Sequence, residues 1–275
     1  MSPVRHRVRL VATDLDGTLV HSDGSVTPRT RAALTAAEDA GIAVVFVTGR
    51  PLRWAEDVFA HVGGLGLAIV SNGALVWDVA RAGVHLVRPL EPVVGLEVAR
   101  RVRAAVPATH FAVETLAGIA LEPGFRERNP VPDGSTRGPL EEIFATPAVK
   151  LLARHECLEP QEFWDRAGDA VGGLAEVTWS STTSLLEMSA AGVTKASTLE
   201  LLCTGLGIDA TEVLALGDMP NDLPMLTWAG TSYAMANAHP SVRAVSDHLA
   251  PANDDDGVAQ VIEALLDSRC RPRQD

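Results

Sequence analysis

Residues 7–13 form an apolar run that stops abruptly at Asp14-Leu15-Asp16-Gly17-Thr18. A short apolar run ending in acids reads as a parallel strand buried on both faces, its carboxyl end opening on a polar crevice. The next segments keep that rhythm. Thr27-Pro28 supplies an N-cap and a first-turn proline, so a helix is expected from Pro28 to a stop at Gly41. Residues 42–47 read as a second strand, 51–61 as a helix and 67–70 as a third strand. The β-α-β-α-β order implies a parallel sheet. Ligands bind such sheets beyond the carboxyl ends of the strands.

Between about residues 84 and 189 the pattern changes. Expected strands (110–114, 118–122, 149–154, 176–180, 185–188) outnumber expected helices (92–105, 160–171), and a Pro/Gly-rich stretch, 122–139, lies between them. After Gly192 the α/β rhythm returns. A helix is expected over 194–205 and a strand over 213–216 that ends in Gly217-Asp218. A short helix, a strand over 231–235 and a terminal helix from Asp254 to Ser268 come next, then a tail expected to be mobile. The organisation is an α/β core made from residues 1–82 and 191–275, with an α+β module, 83–190, inserted into it.

Charge narrows the partners. Lys and Arg total 23 against 35 Asp and Glu, a net charge of −12. That balance disfavours nucleic acid and anionic membranes as partners, both of which need a broad basic face. A small phosphorylated ligand needs only a local cationic pocket. No apolar run approaches the ~20 residues of a membrane span, and the start of the chain lacks the apolar stretch of a secretory signal. Cys157, Cys203 and Cys270 are odd in number and widely spaced, which suggests neither a disulfide framework nor a zinc site. The expectation is a soluble cytoplasmic protein.

Four segments carry the chemistry. Asp14 and Asp16 sit two residues apart at a strand end, where both can project into one site, and Gly17 allows a tight turn. Thr48-Gly49-Arg50 ends the second strand with a hydroxyl and free N–H groups before a helix, which suits an anion. Lys195 opens a helix after the inserted module. It is one of two lysines, with Lys150, beside 21 arginines. Gly217-Asp218-Met219-Pro220-Asn221-Asp222 gathers two acids and an amide at another strand end, the donor set a hard cation such as Mg2+ prefers. Singly, these read as a surface turn, a helix cap, a surface lysine and a capped turn. Together, three strand ends and one core helix start can converge on one crevice.

In this order and spacing the sequence resembles the haloacid dehalogenase-like (HAD) phosphatases, specifically the Cof-type branch. Further likeness comes from Ser71-Asn72-Gly73-Ala74, Met235-Ala-Asn-Ala238 and Asp256-Gly257-Val258-Ala259. Ala196, where the branch often has Gly, is one departure. The resemblance implies a Rossmann-like parallel-sheet core with an inserted α+β cap of the C2 type that sets specificity. It implies Mg2+ as cofactor and a small phosphorylated metabolite as substrate, a sugar phosphate or a phosphorylated cofactor. Asp14 would be the nucleophile and Asp16 the general acid and base. Asp14, the Asp16 carbonyl and Asp218 would hold the metal, with Asp222 beside them. Thr48, the Gly49 N–H and Lys195 would hold phosphoryl oxygens, with Asn221 touching the phosphoryl group or a metal-bound water. Arg50 is grouped with these phosphate-binding residues and would either help at the leaving-group side or pair structurally.

Other readings stay open. A phosphomutase would use the same Asp pair, and a non-catalytic sensor the same pocket. A haloacid dehalogenase needs no second acid at Asp16, and Gly63-Gly64-Leu65-Gly66 precedes a strand instead of following one, against a dinucleotide fingerprint. In the inserted module Glu114, Arg126, Arg128 and Trp179 are candidates to face the crevice. The five tryptophans otherwise read as core or hinge packing, and residues 253–256 as the cap of the last helix.

Overall fold

A computed structural model of the chain describes residues 8–127, 130–179 and 183–270. It divides into two compact units, one formed by residues up to His85 and from Lys195 onward, the other by Leu86–Thr194.

The first unit carries an eight-stranded sheet. Its elements begin β1 (Leu10–Thr13), α1 (Pro28–Asp39), β2 (Ala43–Val47), α2 (Leu52–His61), β3 (Leu67–Val70), β4 (Leu75–Asp78) and β5 (Gly83–Val87). Within the second unit come α3 (Pro92–Ala105), β6 (His110–Thr115), β7 (Gly118–Leu121), α4 (Leu140–Ile143), β8 (Lys150–Arg154), α5 (Pro160–Val171), β9 (Ala175–Thr178) and β10 (Leu185–Ala190). The chain then returns with α6 (Lys195–Leu206), β11 (Val213–Gly217), α7 (Leu223–Trp228), β12 (Thr231–Met235), α8 (Pro240–Val245), β13 (His248–Ala250) and α9 (Gly257–Cys270).

The large sheet runs β13-β12-β11-β1-β2-β3-β4-β5. From β13 to β3 every pairing is parallel, and β4 turns back antiparallel on β3. The central parallel strands are largely apolar because both faces are covered: all of β1 and β11 is buried. Strand order reverses at β1, whose neighbours are β11 and β2. That reversal leaves a crevice at the carboxyl ends of these three strands.

In the second unit the strands pair antiparallel in the order β7-β6-β8-β10-β9. Alternate residues, including Phe111, Val113, Leu151, Ala153, Leu186 and Met188, form its core with Phe163 and Ala167 of α5 and Val98 and Val102 of α3. The helices thus cover one face of this sheet, the period-two and period-3.6 patterns meeting in one apolar layer.

Thr27 caps α1 as expected, its hydroxyl accepting from the Thr30 N–H. Other elements depart from expectation. The terminal helix begins at Gly257, not Asp254. Asn253–Asp255 form a separate 3-10 turn, and Asp256 takes a left-handed conformation at φ 56°. Side chains expected to cap α9 reach elsewhere: Asp254 accepts from Ser22, and Asp256 from Thr27 and Thr30 at the start of α1. β4, β5, α4, α8 and β13 are additions to the expected elements. The expected strand starting at residue 7 and the one ending at residue 180 each extend outside the described residues; of the tail expected to be mobile, 269–275, the first two residues instead end α9 and 271–275 lie outside the described residues. Among the described residues no helix is long and apolar enough to cross a membrane.

Candidate active site

The strand ends at the reversal point bring together the groups singled out in the sequence. Asp14 follows β1, and its N–H donates to the Leu216 carbonyl of β11 at 3.0 Å, which fixes the two loops against each other. Lys195, the first residue of α6, is 2% exposed. Its ammonium lies 2.6 Å from Asp14 Oδ1 and 2.6 Å from Asp222 Oδ1. The other Asp222 oxygen accepts from the N–H groups of Asp218 and Met219, at 3.1 Å each. Asp222 is therefore fully engaged as an anchor for Lys195 and for the loop after β11. Asp218 Oδ1 accepts from the Thr18 hydroxyl at 3.1 Å.

Three buried carboxylates face one ammonium. Asp14 is held well above the usual carboxylate range by burial and by the charges of Asp222 and Asp218, against the pull of Lys195. Burial, then Asp222, pushes Asp218 up to about 7. For Lys195 burial disfavours the charge, but Asp14 and Asp222 overcome it and raise its pKa. Fully ionised, the cluster carries three negative charges and one positive, a net of −2. A divalent cation neutralises that excess.

The donor set fits such an ion. Oxygens of Asp14, Asp218 and Asp222 lie within 4.8 Å of one another; those of Asp222 are taken up by Lys195 and the loop N–H groups, which leaves Asp14 and Asp218 to face the ion. Asn221 Oδ1, in the same loop, is buried and accepts no hydrogen bond among the described residues. An all-oxygen set with few carboxylates is the environment Mg2+ takes, in contrast to zinc, which favours His and Cys.

At the end of β2 the Thr48 hydroxyl accepts from the Arg50 N–H at 3.0 Å. The Thr48 and Arg50 carbonyls accept from the Asn72 and Ser71 N–H groups. Ser71 and Asn72 both take left-handed φ values, 51° and 55°, a costly backbone that packed surroundings must hold. A side chain at Gly49 would meet Asn72 Oδ1 at 2.9 Å, so the glycine permits this close approach. The Arg50 guanidinium takes the Asp16 carboxylate, Nε to Oδ2 at 2.8 Å and Nη2 to Oδ1 at 2.5 Å.

Two residues given no role from sequence also hold the site. Thr18 supports Asp218, and Asn237 donates to the Gly17 carbonyl at 2.8 Å. Both lie inside quoted motifs, which was the available signal. In the second unit, Glu114 is buried on β6 opposite Lys150 of β8. Lys150 in turn pairs with Glu187 at 2.9 Å. Arg126 is exposed, and Trp179 packs edge-on against Trp164. Arg128 lies outside the described residues.

Gly17 is required twice over. Its φ is +72°, and a methyl there would run into the Asp218 carboxylate. Gly17→Ala is expected to cost at least ~1–2 kcal/mol from the left-handed backbone alone. Displacing Asp218 by about 1 Å should lower turnover on the order of 10²-fold. Urea melts and steady-state rates of the variant check both.

A parallel sheet with acids at its strand-order reversal, and a buried lysine between them, gives an α/β fold whose crevice is equipped for a divalent cation and an anionic ligand. Over residues 11–262 the chain matches the haloacid dehalogenase-like hydrolases, and it belongs to that family, among the phosphatases. One relative, the 5-amino-6-(5-phospho-D-ribitylamino)uracil phosphatase of Bacillus subtilis, is 29% identical over 93% of this chain and 94% of its own length. Another, a phosphoglycolate phosphatase of Methanothermobacter thermautotrophicus, is 27% identical over 94% of this chain and 99% of its own. The crystal structure of a haloacid dehalogenase-like hydrolase from Bacteroides thetaiotaomicron superposes with a TM-score of 0.78. It is 26% identical and covers 94% of this chain and 100% of that one.

Proposed function

We propose that this phosphatase is Mg2+-dependent and hydrolyses a small phosphorylated metabolite, a sugar phosphate or a phosphorylated cofactor, through a phosphorylated Asp14. The observation that carries the reading is the buried contact of Asp14 with Lys195 beside Asp218 and Asp222. A nucleophilic carboxylate, a point charge for phosphoryl oxygens and a cation site then occupy one crevice. The small phosphorylated substrates named for the relatives support the substrate class.

In the first step an Asp14 oxygen attacks phosphorus and the ester P–O bond breaks. Asp16 gives its proton to the departing oxygen. In the second, Asp16 takes a proton from water as that water attacks phosphorus, the Asp14–phosphorus bond breaks, and inorganic phosphate leaves. Lys195 and Thr48 hold phosphoryl oxygens as charge shifts onto them. Asp14, Asp218 and the Asp16 carbonyl would hold Mg2+, which when bound supplies positive charge to the phosphoryl oxygens. These groups address only the phosphoryl end, so choice of the remainder falls to the inserted unit, Leu86–Thr194.

Phosphate release from a panel of sugar phosphates and phosphorylated cofactors tests the reading. Release is expected with Mg2+ and not with excess chelator. Tight binding of a phosphorylated compound with no release from any would overturn it in favour of a sensor. Return of the phosphoryl group to another hydroxyl of a hexose phosphate, in place of free phosphate, would mark a mutase.

Stability should report the metal as well. With Asp218 raised from 3.8 to about 7, the native state keeps a proton that the unfolded chain releases. The metal-free protein therefore loses stability as pH rises through this window. Mg2+ needs the deprotonated carboxylates, so its stabilisation grows in the same direction. At about 100 times its Kd it should add about 2.7 kcal/mol. Thermal melts with and without Mg2+ are expected to separate more at about pH 8 than at about pH 5.5; equal separation would contradict a carboxylate metal site.

A further inference from the structure

We propose that Arg50 is the positioning residue for Asp16, fixing the general acid by its guanidinium fork; this rests on the role assigned to Asp16 above. The contrast with the other acids of the site points to it. Asp14, Asp218 and Asp222 are buried and locked by Lys195, Thr18 and backbone N–H groups. The Asp16 side chain is 56% exposed, and Arg50 is its one side-chain partner among the described residues. An exposed carboxylate next to a glycine samples several rotamers unless something holds it. Proton transfer needs the acid within hydrogen-bond reach of the leaving oxygen.

Arg50 is built to do the holding. Its N–H donates to the Thr48 hydroxyl at 3.0 Å, and its carbonyl accepts from the Ser71 N–H at 2.8 Å. Its Nη1 donates to the Trp54 carbonyl at 3.1 Å, in the first turn of α2. The backbone and one end of the guanidinium are thus tied to the end of β2 and the start of α2. The remaining edge, Nε and Nη2, meets both Asp16 oxygens side by side. A planar fork fixes the orientation of a carboxylate as well as its place, which a lysine cannot do; it uses one lone pair on each Asp16 oxygen, and the proton passed to the leaving oxygen is carried on a remaining one. Asp16 and Arg50 are 34 residues apart, so the pair also ties the loop after β1 to the loop after β2.

A positioning role separates from a phosphate-holding role by leaving group. p-Nitrophenolate departs without a proton, whereas the alkoxide of glycerol phosphate needs one. kcat/KM reports steps through the first ester cleavage, so it isolates the acid's contribution. Arg50→Gln is expected to lose at least about 10-fold more kcat/KM on glycerol phosphate than on p-nitrophenyl phosphate, the size of general-acid contributions being about 10²–10⁴. Asp16→Asn should show the same split, and adding Arg50→Gln to it should widen the split no further. Arg50→Lys keeps the charge without the fork. It is expected to show the split too, with the wild-type melting curve as the check on folding. Equal losses on both esters, or full additivity with Asp16→Asn, would overturn the inference while leaving the phosphatase reading intact. Wild-type turnover in Asp14→Asn would instead remove that reading and this inference with it.

Discussion

Asp14→Asn is expected to reduce phosphate release by about 10⁴-fold or more, the scale on which loss of a nucleophile acts, while the fold survives. The amide keeps an oxygen that can accept from Lys195 but cannot form the phosphoryl bond. Its effect on stability has a definite sign. Asp14 is held above its usual range by burial and by the negative charges of Asp222 and Asp218. An ionised carboxylate there costs free energy in the metal-free protein at neutral pH. Asn removes that cost, so melting temperature without Mg2+ should stay level or rise. A variant that is inactive because it is unfolded would miss this expectation, and calorimetry beside a phosphate-release assay separates the two.

Lys195→Met should do the reverse and unsettle the fold. The ammonium is 2% exposed and bridges two carboxylates at 2.6 Å each. Without it three buried acids face one another with no cation. Breaking a buried pair from one side costs about 3–5 kcal/mol, a large share of the ~5–15 kcal/mol that holds a typical domain. The orphaned carboxylates then titrate higher still. Between the unfolded and native pKa values the native state binds the extra protons, so the loss deepens as pH rises. Urea melts at about pH 5 and about pH 8 should show the variant nearer to wild type at the lower value. Mg2+ should restore part of the stability without restoring turnover. A variant equally stable at both pH values would mean that the acids do not depend on the lysine.

Both expectations start from residues legible in the sequence, and there is a physical reason. β1, β2 and β11 are covered on both faces and are apolar but for the buried Thr13, and the switch to Asp14, Thr48 and Asp218 marks where each strand leaves the sheet. β4 and β5 give no such mark. Trp77 is half-buried, and Val84 is 50% exposed. β5 is the edge strand and needs no continuous apolar run, while β4, four residues between β3 and β5, is too short to show a period. α8 and β13, six and three residues long, are too short for periodicity to appear. Asp254 looked like a helix start because acids favour that position, yet its oxygens go to Ser22. Partner choice was the least legible. Arg50 carried two readings at sequence level, and the fork it forms with Asp16 depends on how two loops meet in space. Thr18 likewise finds Asp218 200 residues away.

Passage of the phosphoryl group through Asp14 is the central claim. The direct measurement is an acid quench of the protein during turnover of a radiolabelled phosphate ester, with borohydride reduction and peptide sequencing after it. Reduction converts an aspartyl-phosphate to homoserine. Protein-bound label that is stable to acid and labile to base is expected, with homoserine at position 14. Turnover with no label on the protein, or homoserine at any other position, would contradict it.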